Sequence, residues 1–232
     1  MTIQQTAFAH VRTGSAEERR AVVRAARVVF AREGWVHAQV ADVAAESGLD
    51  QDTVTHYFQD KERLLLTVLL EGAASVAAAL TVVAEDHLAE VTDLERDLVV
   101  LGHAWLTPLA AFPEHFAIVR HLGAEVTGWP AGVVEMWRTA GPRQATRELA
   151  RRLGRLAERG LLDFGDPGEQ GSGYDPDQAA ERAAERFIQL VAGGVVQRSF
   201  HGALPLADYE TDALVTAGVA DFVRLYRPGT DR

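Results

Sequence analysis

The chain has 232 residues, of which 47% are hydrophobic, so it can bury a sizeable core. It contains no cysteine, which excludes disulfides, thiolate metal sites and a cysteine nucleophile. Its formal net charge of −10 excludes a uniformly basic surface, so any contact with nucleic acid must come from local clusters. We find neither a signal peptide nor an apolar run of about 20 residues, so we expect a cytoplasmic protein without membrane contact.

An all-α fold is predicted, because Ala, Leu, Arg and Glu dominate the sequence and no hairpin signal appears. Residues 1–14 are predicted to be a disordered arm. The sequence Ser15-Ala16-Glu17-Glu18 is a capping box, which predicts the start of the first helix. Apolar residues then recur along one helical face as far as Phe30, and Gly34 is predicted to end this helix.

Two short helices are predicted next, over residues 40–47 and 51–57, with Asp50 as the cap of the second and Val54 on its inward face. Gly48 lies between them and supplies the permissive backbone that a tight interhelical turn needs. At 100° per residue, Asp52 and His56 point outward from the second short helix. This is the layout of a helix-turn-helix, whose second helix enters the major groove of DNA.

Six further helices are predicted, each from a capping residue or from a proline in its first turn. They start at Asp60, Thr92, Pro113, Pro130, Asp175 and Pro205. The helix from Asp60 can run to about His87, and the helix from Pro130 to about Arg159 with a kink at Gly141-Pro142. Residues 163–176 are predicted to be a loop.

A wider pattern of residues surrounds the helix-turn-helix. It consists of Phe30-x-x-x-Gly34-Trp35, Val40-x-x-Val43-Ala44-x-x-x-Gly48-Leu49, Thr53-Val54 and Tyr57-Phe58-x-x-Lys61-Glu62-x-Leu64-Leu65. Over about residues 17–66 the chain resembles the N-terminal domain of the TetR family of regulators. The resemblance implies an all-α homodimer with a DNA-binding domain over 15–60 and a larger ligand-binding and dimerisation domain over 61–232.

The resemblance also implies a function, namely a transcriptional regulator. The expected partners are a palindromic operator in double-stranded DNA and a small-molecule effector that releases a repressor from it. By position, Gln39 would contact phosphate, and Tyr57 and Lys61 would hold the DNA backbone. The residues that would face the groove are Gln51, Asp52, Thr53, Thr55 and His56. The predicted DNA-binding residues are Arg19, Arg20, Arg24, Gln39, Gln51, Asp52, Thr53, Thr55, His56, Tyr57 and Lys61.

Aromatic and histidine side chains concentrate over residues 87–137, which is typical either of a small-molecule pocket or of ordinary core packing. The candidate ligand-binding residues are His87, His103, Trp105, Phe112, Phe116, His121, Trp129, Met136 and Trp137. His121 and Glu125 lie four residues apart, but two ligands are too few for a metal site. We therefore expect no metal and no cofactor.

Small and apolar residues line one side of each of the last two predicted helices, where they suit either a four-helix dimer interface or packing within one chain. The candidate interface residues are Ala180, Ala184, Phe187, Val191, Gly194, Leu214, Ala217, Gly218, Phe222 and Leu225. We favour the dimer, because reading a palindrome requires two-fold symmetry.

An alternative function follows from three departures from the family pattern. Gln39 stands where the family usually has Thr, Asp52 where it has Gly, and Thr55 where it has Tyr. An acidic side chain is repelled by phosphate, although it can accept a hydrogen bond from a cytosine amino group. The alternative is a helical small-molecule-binding protein or enzyme on the same fold that has lost DNA binding. Catalysis is not expected, since we find no nucleophile triad, HExxH motif or P-loop.

Overall fold

The computed structural model describes residues 3–165 and 175–229, with side chains from Ala16 onward. Within these ranges the regular secondary structure is entirely helical, which confirms the all-α prediction. The side chain of Ser15, the predicted first helix cap, and most of the loop predicted over 163–176 lie outside the described residues.

The helices follow one another along the chain. They are α1 (Ile3–His37), α2 (Val40–Ser47), α3 (Gln51–Phe58), α4 (Lys61–Leu88), α5 (Leu94–Leu106), α6 (Pro108–Ala111), α7 (Pro113–Ala124), α8 (Val133–Ala140), α9 (Pro142–Glu158), α10 (Pro176–Phe187), α11 (Gly193–Arg198) and α12 (Asp208–Tyr226). A 3₁₀ turn at Val126–Gly128 lies between α7 and α8, and a π-helical turn at Ile188–Ala192 joins α10 to α11.

Several helix boundaries differ from the prediction. The backbone is helical from Ile3, so most of the predicted arm belongs to α1 and residue 15 lies inside a helix. Gly34 interrupts α1 with φ of 73°, as expected of a residue that ends a helix. The single helix predicted from Pro130 is two helices separated at Gly141, and the last helix begins at Asp208 rather than at Pro205.

The chain divides into two compact units whose boundaries differ from the predicted domains. The head unit comprises the chain up to Gly72 together with Glu114–Trp137, and the body unit comprises Ala73–Pro113 and the chain from Arg138 onward. The predicted boundary after residue 60 is therefore wrong in two respects. The first part of α4 belongs to the head unit, and so does the whole segment around α7.

Apolar side chains from α1 to α4 and from α7 fill the head core. Val22, Val29 and Phe30 of α1 are fully buried, and Ile118 and Leu122 of α7 join the same cluster. Burying a Val, Leu, Ile or Phe side chain stabilises a fold by about 1.5–3 kcal/mol. This burial explains why a segment that begins more than 50 residues beyond the helix-turn-helix is part of the same unit.

The body core is built mainly by α5, α9, α10 and α12. Phe187 and Phe222 are both fully buried and meet edge to face with ring centroids 5.2 Å apart. Gly218 allows α12 to approach the π-helical turn, because a Cβ at that position would collide with the carbonyl oxygen of Leu190. The buried Glu148 is paired with Arg152 at 2.9 Å and also with Arg151.

Among the described residues, α4 is the one helix long and apolar enough to span a membrane by length and composition. The sequence-based expectation of no such apolar run was wrong for this helix. A third of its most apolar 18-residue window is buried within the protein. Leu64 and Leu65 are buried in the head core, and Ala77 and Ala84 are buried in the body core. Core helices of proteins that do not enter membranes have the same composition.

Candidate nucleic-acid interface

A glycine turn joins α2 to α3. Gly48 has φ of 71° and ψ of 19°, the left-handed conformation predicted for it. Its N–H and that of Leu49 donate to the carbonyls of Ala45 and Ala44 at 3.3 and 3.1 Å, which satisfies the free carbonyls at the end of α2. The turn is thus fixed by local hydrogen bonds.

Asp50 caps the start of α3, as the sequence predicts. Its Oδ1 accepts a hydrogen bond from the Thr53 N–H at 2.7 Å. Hydrogen bonds from Thr53 stabilise the ionised carboxyl group, so the pKa of Asp50 is lowered from its usual value. Val54 and Phe58 on the opposite side of α3 are buried in the head core, which fixes the rotation of the helix about its axis.

The outward side of α3 is open to solvent. Gln51, Asp52, Thr55 and His56 are exposed, and Thr53 is half-buried. The His56 ring packs against the edge of the Tyr57 ring with centroids 5.4 Å apart. These side chains are the ones predicted to face the groove, and their position on an exposed face agrees with that role.

The predicted basic cluster lies on α1. Arg19, Arg20 and Arg24 are all exposed. The Arg19 guanidinium lies 5.1 Å from the centre of the Phe58 ring, which orients it near the end of α3. Arg20 and Arg24 make no ion pair with a described residue, so they are available to an anionic partner.

Three residues predicted to hold the DNA backbone are instead engaged within the head unit. The Gln39 side-chain amide donates to the His37 carbonyl at 3.2 Å. The Tyr57 hydroxyl donates to Glu18 Oε2 at 2.6 Å, and this bond to a carboxylate raises the pKa of Tyr57. The Lys61 ammonium donates to the Ala38 carbonyl at 2.7 Å.

Lys61 is further enclosed by aromatic surface. Its ammonium lies 4.3 Å from the centre of the Trp35 ring, and burial lowers its pKa. Sequence reasoning missed Glu18 and assigned no function to Trp35. The only signal for Trp35 was its place directly after Gly34 in the family pattern, and Glu18 was interpreted as part of a capping box.

The predicted ligand-binding residues do not belong to one unit. Phe116, His121, Trp129, Met136 and Trp137 lie in the head unit, and His87, His103, Trp105 and Phe112 lie in the body unit. Trp129 is buried in the head core beside Trp35, with ring centroids 6.4 Å apart. Trp105 is buried in the body core, and His103 Nε2 lies 3.1 Å from Asp212 Oδ1. For both tryptophans the structure favours core packing.

The body unit contains a cavity of about 720 Å³ that none of the predicted ligand-binding residues lines. Its charged lining is mixed, with Arg147, Arg151, Arg155, Glu158, Asp163, Asp177 and Glu181. Ala150, Gly154, Leu162, Phe164 and Ala180 contribute its apolar surface. The volume lies within the range of small-molecule sites. Arg155 has no carboxylate partner among the described residues, whereas Arg147 lies 3.9 Å from Glu181.

Most of the predicted dimer-interface residues are core residues of a single chain. Six of them, Ala180, Ala184, Phe187, Val191, Gly218 and Phe222, are buried within the body unit. Gly194 and Leu214 are half-buried near each other, and only Ala217 and Leu225 are exposed. The prediction was wrong for the six buried residues, because the small-residue faces of α10 and α12 pack within the chain.

The comparisons with known proteins agree with this geometry. The family described as "Bacterial regulatory proteins, tetR family" matches residues 22–68, which include α2, α3 and the start of α4. Over 90 residues the chain is 36% identical to the HTH-type transcriptional repressor AcnR of Corynebacterium diphtheriae. That alignment covers 38% of this chain and 44% of the repressor, so it spans less than half of the relative's length.

Solved structures share the fold over nearly the whole chain. A TetR-family transcriptional regulator from Mesorhizobium loti superposes with a TM-score of 0.76 at 23% identity, covering 92% of this chain and 98% of the other. The flavonoid-responsive regulator FrrA superposes with a TM-score of 0.65 at 21% identity, with the same coverage of 92% and 98%. At these identities the likeness shows the fold alone. Together the comparisons show that residues 22–68 match the tetR family and that the chain has the fold of these solved structures.

Proposed function

We propose that this protein is a DNA-binding transcriptional regulator that acts as a ligand-responsive repressor. The observation that carries the proposal is the exposed face of α3, which a glycine turn and a buried opposite face hold outward. The match of residues 22–68 to the family and the similarity to a transcriptional repressor support it. In the cytoplasm the protein would bind a palindromic operator and leave it when a small molecule binds.

The chemistry of α3 suits direct readout of bases. Gln51 can form two hydrogen bonds to adenine, and Thr55 can serve either as donor or as acceptor. Asp52 can accept only, which restricts its favourable base contacts to the amino groups of cytosine and adenine. Arg20 and Arg24 on α1 would neutralise phosphates beside the groove and supply affinity that does not depend on sequence.

We expect the protein to bind as a homodimer, with half-sites about 34–36 Å apart. The interface we now propose is the exposed side of α12. Tyr209, Ala213, Thr216 and Ala217 form a stripe there, opposite the buried face with Val215 and Phe222. Tyr209 is 76% exposed, so a partner subunit would remove a large apolar surface from water.

The cavity of the body unit is our candidate effector site. Its arginines and carboxylates favour a ligand with several polar groups, among which an acidic group could pair with Arg155, and its apolar surface favours a hydrophobic remainder. Structural similarity to a regulator described as flavonoid-responsive supports an organic effector in general. An effector that binds more tightly to a conformation with a lower affinity for the operator would shift the protein population towards that conformation and away from DNA.

A gel-shift titration tests the proposed function. The probe is a duplex that covers the promoter region of the protein's own gene, at a stated low salt concentration, with an unrelated duplex of equal length as competitor. We expect a shift that survives excess competitor. No shift above that of the competitor duplex would exclude operator binding at this site.

Asp52 supports the alternative that this protein has the same fold but has lost DNA binding. Its exposed carboxylate lies on the face that would enter the groove, where phosphates repel it. An Asp52→Gly variant that gains DNA binding absent from the wild-type protein would favour this alternative. Binding by the wild-type protein would exclude it.

A further inference from the structure

We propose that Glu125 and His121, which lie more than 60 residues beyond the helix-turn-helix, are positioning residues for DNA recognition. The inference rests on the proposed function and adds to it. These two side chains hold the corner where α1 ends and the chain turns into α2. We define this corner as residues 34–38.

The corner depends on Gly34. Its φ of 73° and ψ of −178° fall in a region that is almost restricted to glycine. A Cβ at this position would lie 2.7 Å from His121 Nδ1 and 2.8 Å from Glu125 Oε1. The two side chains therefore occupy the space that the missing Cβ leaves, in direct contact with the backbone of the corner.

Polar contacts complete the attachment. Glu125 Oε2 accepts a hydrogen bond from the Val36 N–H at 3.3 Å, and Glu125 Oε1 lies 3.5 Å from His121 Nδ1. The other ring nitrogen of His121 lies 3.3 Å from the Ala31 carbonyl oxygen. Glu125 and His121 thus bridge the last turn of α1 and the residues that follow Gly34.

The neighbouring segment attaches the corner at a second point. Trp35 Nε1 donates to the Gly128 carbonyl at 3.0 Å, and the Trp35 ring lies under the Lys61 ammonium. Lys61 in turn donates to the carbonyl of Ala38, the residue before the N-cap of α2. The corner is therefore held from both the α7 segment and the first turn of α4.

At the end of α1 the Ala38 N–H donates to the Gly34 carbonyl over a long 3.4 Å. The side chains that hold the corner therefore contribute to the direction in which α2 leaves α1. Because α2 and α3 pack together, a change in that direction would move the groove-facing residues as a group.

The proposal predicts an effect on specific DNA binding that exceeds any effect on folding. Base contacts require side chains placed to within fractions of an ångström, whereas phosphate contacts by flexible arginines tolerate small shifts. Loss of the Glu125 carboxylate should therefore reduce specific affinity and leave nonspecific affinity unchanged. A variant that keeps the acceptor oxygen should retain most of the function.

The experiment compares Glu125→Ala, Glu125→Gln and the control Glu114→Ala in the full-length chain. Glu114 is an exposed acid at the start of α7 that makes no described contact. The probes are a high-affinity duplex selected by the wild-type protein from a random library and a scrambled duplex of equal composition. We expect Glu125→Ala to lower affinity for the selected duplex about tenfold and Glu125→Gln to restore most of it, with nonspecific binding unchanged.

Amide hydrogen exchange gives a readout that does not require DNA. Exchange at the Val36 N–H should accelerate at least tenfold in Glu125→Ala, while amides of Val29 and Phe30 in the head core keep their protection. Unchanged exchange at Val36, or equal loss of specific and nonspecific binding, would overturn the positioning role. If the wild-type protein selects no duplex, the proposed function fails, and the exchange rates still decide whether Glu125 holds the corner.

Discussion

The Tyr57 hydroxyl donates a hydrogen bond to the Glu18 carboxylate with an O···O distance of 2.6 Å. This bond links the end of α3 to α1 on the side of the head that carries Arg19 and Arg20. It places a negative charge beside residues expected to contact phosphate. Glu18 therefore weakens the electrostatic attraction that the arginines supply, and it occupies a hydroxyl that could donate to a phosphate oxygen.

Replacing Glu18 with Gln should raise DNA affinity. We expect a gain of about two- to fivefold at low salt that shrinks as ionic strength increases, because the effect is electrostatic. Fluorescence anisotropy at several salt concentrations measures it. Glu185→Gln on the exposed side of α10 in the body unit removes the same charge and should change little. Weaker binding by the Glu18→Gln variant would instead mean that Glu18 holds Tyr57 in its DNA-binding position.

Two glycines with positive φ allow a matched comparison in the head unit. Gly34→Ala forces both a glycine-restricted backbone and two contacts below 3 Å with His121 and Glu125, so it should lower the free energy of unfolding by about 2–4 kcal/mol. At Gly48 φ is 71°, but a Cβ there would meet no neighbouring atom within 4 Å. Gly48→Ala should therefore lower the free energy of unfolding by about 1 kcal/mol, from backbone strain alone. Urea denaturation measures both. Equal losses would contradict the close packing described at Gly34.

The exposed stripe of α12 predicts the effect of charge on assembly. The double variant Ala213→Glu, Ala217→Glu should convert the proposed dimer to a monomer, since paired acids on a two-fold interface repel one another. Sedimentation equilibrium measures the mass. Asp208→Glu at the start of α12 keeps the charge and should stay dimeric. A double variant that is still a dimer would show that another surface carries the interface.

Burial of His115 predicts a dependence of stability on pH. His115 is 5% exposed, its Nδ1 has no hydrogen-bond partner, and burial lowers its pKa from 6.5 to about 4. As pH falls, His115 takes up a proton more readily in the unfolded chain than in the folded protein. The contribution of the neutral His115 to stability is therefore fully present above pH 6.5 and is lost between pH 6.5 and about 4. Between pH 7 and 5 the loss should be about 2 kcal/mol.

Chemical denaturation at pH 7 and at pH 5 checks this dependence. His115→Leu should remove most of the pH-dependent loss, whatever its stability at pH 7, because it removes the titrating group. His37→Gln replaces an exposed histidine and should leave the loss in place. A His115→Leu variant that loses as much stability as the wild-type protein would assign the effect to other groups.

Local signals in the sequence were sufficient for the helix-turn-helix. A glycine turn, a capping aspartate and an apolar periodicity act within a few residues, so Gly48, Asp50 and Val54 were each predicted in the role that the structure confirms. The place of α7 in the head unit could not be predicted in this way. It depends on Ile118 joining the same apolar cluster as Phe30, although the two are far apart in sequence and neither residue alone indicates this.

The same reasoning explains the error at the dimer interface. Small residues permit close helix packing, but they do not reveal whether the partner helix belongs to the same chain or to another. At Gly218 the partner is the backbone of Leu190 in the same chain. The groove-facing side was predictable because helical geometry alone determines it, whereas the engagement of Tyr57 with Glu18 required the arrangement of two helices.

Sequence-specific DNA binding by α3 is the central claim, and the ratio of two affinities tests it most directly. The measurement is the affinity for a duplex from the protein's own promoter region against a scrambled duplex, at about 150 mM salt. We predict a preference on the order of a thousandfold or more for the wild-type protein. A variant with Thr55→Ala and His56→Ala should lose most of that preference and keep its nonspecific binding. Equal affinity of the wild-type protein for both duplexes, or no binding to either, would contradict the claim.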